Sequence, residues 1–167
     1  FGIVYNVSLL SASVYDAISM ALQPMVSTFH GERNKRNVLC TLKQAFQVSI
    51  GLSLILILIL ALFPSGVCFA FGLRTAEELA MGVVAIRIYA LCVLPSGINM
   101  VSTYYYQTLG KEFISYLIFT LRGFVFFLAF SLLLSRWGVD MFWWTYPCME
   151  TATLLILCMY NKWKGSW

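Results

Sequence analysis

Apolar residues run along this chain in five long stretches, near residues 3 to 28, 38 to 63, 77 to 107, 112 to 135 and 140 to 161, separated by short polar breaks. At 1.5 Å per residue, each stretch is long enough to cross a hydrocarbon core of about 30 Å as a helix. The second is the plainest: residues 50 to 63 read IGLSLILILILALF, apolar on every face, which suits a helix surrounded largely by lipid. Pro64-Ser65-Gly66 predicts its stop. The third stretch, about 31 residues, is longer than the core is thick, so it must tilt, bend or reach into the headgroups. Pro95-Ser96-Gly97 is the obvious place for a bend. The pattern predicts an all-α fold: a polytopic transmembrane helical bundle of five helices, forming one transmembrane domain over residues 1 to 167.

Composition agrees. The chain is 60% hydrophobic and 11% charged, with a mean hydropathy of +0.82. So little charge cannot cover a soluble surface, which excludes a soluble enzyme, a disordered tail and a secreted disulfide scaffold, and makes the lipid bilayer the first partner. The net charge of +4 comes from dispersed Lys and Arg residues beside apolar runs. That is no footprint for nucleic acid. The chain starts at Phe1 with an apolar stretch that lacks a basic leader or a small-residue cleavage site, so we expect a piece of a longer protein rather than a signal peptide.

Basic residues set the expected orientation. Arg33, Lys35, Arg36 and Lys43 flank the first loop, Lys111 sits in the third, and Lys162 and Lys164 follow the last stretch. Only Arg74 and Arg136 belong to the second and fourth loops. The first and third loops and the C-terminus are therefore expected in the cytoplasm and Phe1 outside. Tyr104-Tyr105-Tyr106 and Trp143-Trp144 lie near predicted helix ends, where amphipathic rings favour the headgroup zone. Residues 30 to 37, HGERNKRN, read as a polar turn.

Charged side chains inside apolar runs cost about 2.5 to 3.5 kcal/mol each on insertion scales, so each requires a partner or a watery cavity. Asp16 falls about 20 Å along its helix from the polar end, near the midplane. Arg122 and Glu150 fall about 15 Å along theirs from opposite sides, so the two can meet. Arg87 falls in the outer part of the third stretch. One reading makes Asp16 and Glu150 walls of a polar cavity, with Glu150 held by Arg122 until a cation or proton competes. The other makes Arg122 and Glu150 a permanent pair that pins neighbouring helices. Asp16 has no basic partner at its depth. It shares its stretch with Ser8, Ser11, Ser13, Tyr15 and Ser19, and so polar a helix faces protein or water more often than lipid.

The remaining chemistry is sparse. The five cysteines, Cys40, Cys68, Cys92, Cys148 and Cys158, are scattered without metal-ligand spacing or close pairing, and His30 stands alone beside Gly31. No phosphate-binding Gly loop or Ser-His-Asp set appears, so neither an enzyme nor a cofactor is expected. Pro24 removes a backbone donor near one end of the first stretch and offers a hinge, while Gly31 and Gly110 permit tight turns.

Several of these signals fall in the order found in one family. Gln23-Pro24, then Ser27, Gly31, Arg33 and Arg36, resembles the pattern at the cytoplasmic end of the second helix in each lobe of the multidrug and toxic compound extrusion (MATE) transporters. Tyr105-Tyr106-Gln107-Thr108-Leu109-Gly110-Lys111 resembles the family's aromatic-Gln-x-x-Gly turn. Leu121-Arg122, and Gly138 followed by Trp144, Pro147 and Glu150, continue the match. The sequence departs from the pattern where Phe29 replaces a frequent Asn and Glu32 a common Ala, and no acid lies within residues 83 to 101.

The resemblance implies twelve helices in two lobes, alternately open to each side, that export small organic cations in exchange for Na⁺ or H⁺. This chain would be most of the C-terminal lobe, and its partner the missing N-terminal lobe of the same protein. A bacterial plasma membrane is the implied location. Two other readings are kept: a lipid-linked oligosaccharide flippase of related architecture, which would need a more cationic cavity, and a small membrane scaffold protein.

Overall fold

The computed structural model describes residues 2 to 164, and the side chains of all of these except residues 139, 140 and 164. Phe1 and the side chain of Lys164, both used in the expected orientation, lie outside that range. Among the described residues the chain is all-helical. Helix α1 is Gly2–Gly31 and α2 is Lys35–Leu62. A short α3, Pro64–Ala70, precedes α4, Ala76–Thr108. Then come α5, Glu112–Trp137, and α6, Thr145–Lys164, with a single helical turn, Val139–Phe142, between them.

Among the described residues the expected count of five is therefore corrected to six. The extra helix is α3, and it begins at the proline read as a stop. Pro64 does end α2, because its ring cannot continue that hydrogen-bond ladder, but its fixed φ suits the first turn of a new helix, where no amide donor is needed. The first polar turn is also shorter than HGERNKRN suggests. Helix α1 runs to Gly31, Arg33 takes a left-handed φ of 56°, and the Asn34 side chain accepts from the Asn37 amide at 3.1 Å to cap α2. Helix α4 opens on a capping box: the Thr75 hydroxyl accepts from the Glu78 amide, and the Glu78 carboxylate accepts from the Thr75 amide.

Helices α1, α2, α4 and α5 are long and apolar enough to cross a membrane. Helix α6 is more polar, carrying Glu150, Thr153 and Asn161 on buried positions. Both α1 and α4 continue as helix through their internal prolines, Pro24 and Pro95.

Helix α4 is the hub, packing against α1, α2, α3, α5 and α6. Its small residues allow this. A Cβ built on Gly97 would come within 2.6 Å of Ser49 Oγ and 2.7 Å of Tyr15 Cε1, so the three helices α1, α2 and α4 approach there more closely than any side chain permits. At the same level the Tyr15 hydroxyl lies 2.7 Å from Ser53 Oγ and 2.9 Å from the Val93 carbonyl, tying α1 to α2 and α4. The buried stripe of α1 is Val4, Val7, Ser11, Tyr15, Ser19, Leu22 and Val26, a three-and-four repeat facing the bundle. Ser11 and Ser19 donate to carbonyls one turn back, which satisfies their hydroxyls within the helix. The outward faces of α2 and α5 expose Leu54, Ile55, Leu58, Leu62, Phe124, Leu132 and Leu133, an apolar girth that suits lipid.

Candidate functional site

The structure brings two of the predicted residues, Arg122 and Glu150, into direct contact. Arg122 Nε donates to Glu150 Oε1 at 2.6 Å, with side-chain exposures of 17% and 3%. This is the one ion pair among the described residues. Helix α4 completes the network from Ser96, Asn99 and Met100. Arg122 Nη2 donates to Ser96 Oγ at 2.8 Å, and Nη1 lies 3.3 Å from Met100 Sδ. Asn99 Nδ2 donates both to Glu150 Oε2, at 2.8 Å, and to the Glu150 carbonyl, at 2.9 Å. Each carboxylate oxygen of Glu150 thus holds one donor, and three helices are joined through a single buried acid.

Local backbone sets this geometry. Arg122 sits in a π-helical segment of α5, Leu121–Phe126, whose wider turn rotates the following residues relative to an α-helix. Such segments cost regular hydrogen bonding and concentrate at functional positions. Across from it, Ser96 and Asn99 follow Pro95, which removes one backbone donor from α4. Asn99 is fully buried, and among the described residues its Oδ1 has no hydrogen-bond donor. A buried amide oxygen without a donor is able to accept from a proton-bearing group or to face a cation.

Asp16 is held differently. It is half-buried, and the Tyr104 hydroxyl donates to its Oδ1 at 3.0 Å. Tyr104 in turn lines a groove of about 290 Å³ between α4 and α5, together with Met100, Gln107, Tyr116, Phe119 and Arg122. Two predicted residues, Gln107 and Arg122, therefore meet in this groove, with Asp16 reached through Tyr104. Arg87 does not join them. It is exposed and lies about two and a half turns before Ser96, on the opposite side of α4. Gln23 is half-buried and Pro24 exposed in α1; Gly31 ends that helix, and Gly110, at φ 70°, makes the turn into α5.

Asn99, Ser96 and Tyr104 were not anticipated from the sequence. Asn99 carried the one available signal, an amide inside an apolar run that has to find a partner.

The arrangement is that of an integral membrane helical bundle with a charged, hydrogen-bonded centre and a largely apolar groove beside it. The sequence model of the MatE family matches residues 1–133, and the chain belongs to that family. Arg122 falls within the match and Glu150 beyond it. Solved structures agree in fold. One described as the outward-facing conformation of a multidrug resistance MATE family transporter of the MOP superfamily has a TM-score of 0.87 at 14% identity, over 98% of this chain and 37% of that one. An inward-facing conformation of such a transporter gives 0.84 at 13% identity, over 96% and 38%. A MOP superfamily transporter from Pyrococcus furiosus, for which a reversed polarity of the binding pocket is reported to suggest a different function, gives 0.87 at 14%, over 98% and 37%. The chain thus spans a little over a third of the length of these transporters and has the fold of a membrane transporter. No curated protein matches it in sequence.

Proposed function

We propose that the chain is most of the C-terminal lobe of a secondary antiporter that exports organic cations in exchange for Na⁺ or H⁺. The observation that carries this reading is the set of charges around the groove between α4 and α5. Arg122, the one charged residue lining it, is neutralised by Glu150 behind the lining, while Asp16, reached through Tyr104, has no basic partner within ion-pair distance among the described residues. The three charges sum to one negative beside a groove that Tyr104, Tyr116 and Phe119 line with aromatic rings, which can attract cations. That combination suits a flat organic cation. It disfavours the pyrophosphate of a lipid-linked sugar, which needs unpaired positive charge.

Exchange follows from differential affinity. While Glu150 is ionised, Arg122 is paired and Asp16 leaves one negative charge near the groove. A proton or Na⁺ arriving at Glu150 and the bare Asn99 oxygen cancels that carboxylate's hold on Arg122. The freed guanidinium borders the groove and repels a bound organic cation. Pro95 removes one amide donor from the ladder of α4 and the π-helical segment interrupts the α-helical register of α5, which suits a rocking motion of one lobe against the other. Arg33, Lys35, Arg36, Lys43 and Lys111 at the first and third loops support an orientation with those loops in the cytoplasm.

The test is efflux of a cationic dye by the full-length protein in cells. Asp16→Asn at equal expression is expected to weaken efflux by about tenfold, the effect of losing about 1.4 kcal/mol of cation binding. Unchanged efflux would remove Asp16 from the pathway.

A further inference from the structure

The geometry points to a second binding site, for an anionic phospholipid, at the end of the bundle where α1, α2, α4 and α5 meet. A cavity of about 570 Å³ opens there. Arg33, Lys35 and Lys111 line it together with Phe29, Val38 and Leu109, so cationic and apolar side chains share one cavity. The inference depends on the chain spanning a membrane and not on what it transports.

Two features leave these cations available to a ligand. First, Arg33 in the Gly31-to-Asn34 turn, Lys35 at the start of α2 and Lys111 after the Gly110 turn are brought by the fold to one cavity. Second, among the described residues none of the three has a carboxylate within ion-pair distance, and Lys111 has only the face of Tyr106, its ammonium 5.6 Å from the ring centre. The acids nearest in sequence, Glu32 and Glu112, do not line the cavity.

The level of this cavity fixes the ligand class. It lies at the ends of four helices that are long and apolar enough to cross a membrane, so it stands at headgroup depth. A phospholipid there places a phosphate among three cations and its acyl chains against Phe29, Val38 and Leu109. A soluble phosphate would use the cations and leave the apolar side chains wet. Basic cavities between spanning helices bind anionic headgroups in this way, each Lys or Arg contributing about a fivefold gain in affinity.

The experiment uses the full-length protein purified in mild detergent, with native mass spectrometry and thermal unfolding as readouts. The probes are phosphatidylglycerol, phosphatidylcholine and inorganic phosphate. Phosphatidylglycerol is expected to stay bound and raise Tm, while the other two do neither. Arg33→Gln, Lys35→Gln and Lys111→Gln, each at an exposed position, should each weaken retention by about fivefold. Lys43→Gln, exposed on α2 but outside the cavity, should leave it unchanged. Equal retention of phosphatidylcholine, equal stabilisation by inorganic phosphate, or full retention by all three variants would each overturn the assignment. Dye transport enters none of these readouts, so a failure here is distinct from a failure of the transport reading.

Discussion

Arg122 Nε and Glu150 Oε1, 28 residues apart in sequence, stand 2.6 Å apart between α5 and α6, with the acid almost fully buried. Removing either charge leaves the other in a poorly solvated place, which typically costs about 3 to 5 kcal/mol. Arg122→Gln and Glu150→Gln are each expected to destabilise the full-length protein by about 3 kcal/mol, and the double variant by less than their sum, with a coupling of about 1 to 3 kcal/mol. Denaturant unfolding in detergent measures the cycle. Additive losses would mean that the contact contributes nothing.

Asn99 gives both of its amide bonds to Glu150, one to the side chain and one to the backbone. In Asn99→Leu two buried acceptors on α6 lose their donor, at about 1 to 3 kcal/mol. A melting temperature equal to that of the unsubstituted protein would show that water replaces the amide and that α4 does not fix Glu150.

Gly97 marks the closest approach of α1, α2 and α4. Gly97→Ala places a methyl group against Ser49 and Tyr15, and overpacking of this kind costs about 1 to 3 kcal/mol. The prediction is a lower yield of folded protein and a reduced Tm, whereas Gly123→Ala, with open space at its Cβ, should change neither. Similar behaviour of the two variants would contradict a tight three-helix contact.

What the sequence disclosed, and what it hid, follows from the physics of apolar solvents. Arg122 and Glu150 were legible because a charge inside an apolar run must be paired, and their helical depths allowed them to meet. The long helices were legible because nothing else lets a backbone satisfy itself across a bilayer. Asn99 and Tyr104 were hidden because neutral polar residues in such runs often satisfy themselves locally, as Ser11 and Ser19 do. The π-helical turn at Leu121–Phe126 left no signal, since its register depends on packing against α4 and α6 rather than on local composition. Helix α3 was missed because a proline that ends one helix also begins the next. The Lys and Arg residues of the two short turns read as topology markers; only the folded turns of α1 and α4 show Arg33, Lys35 and Lys111 at one cavity.

The central claim is that the charge of Glu150 couples ion binding to cation export. The most direct test reconstitutes the full-length protein and its Glu150→Gln variant in proteoliposomes and follows a cationic dye with and without an imposed Na⁺ or pH gradient. The account predicts gradient-driven dye movement by the unsubstituted protein, and movement by the variant that is the same with or without the gradient. Gradient-driven transport by the variant at the unsubstituted rate would contradict it.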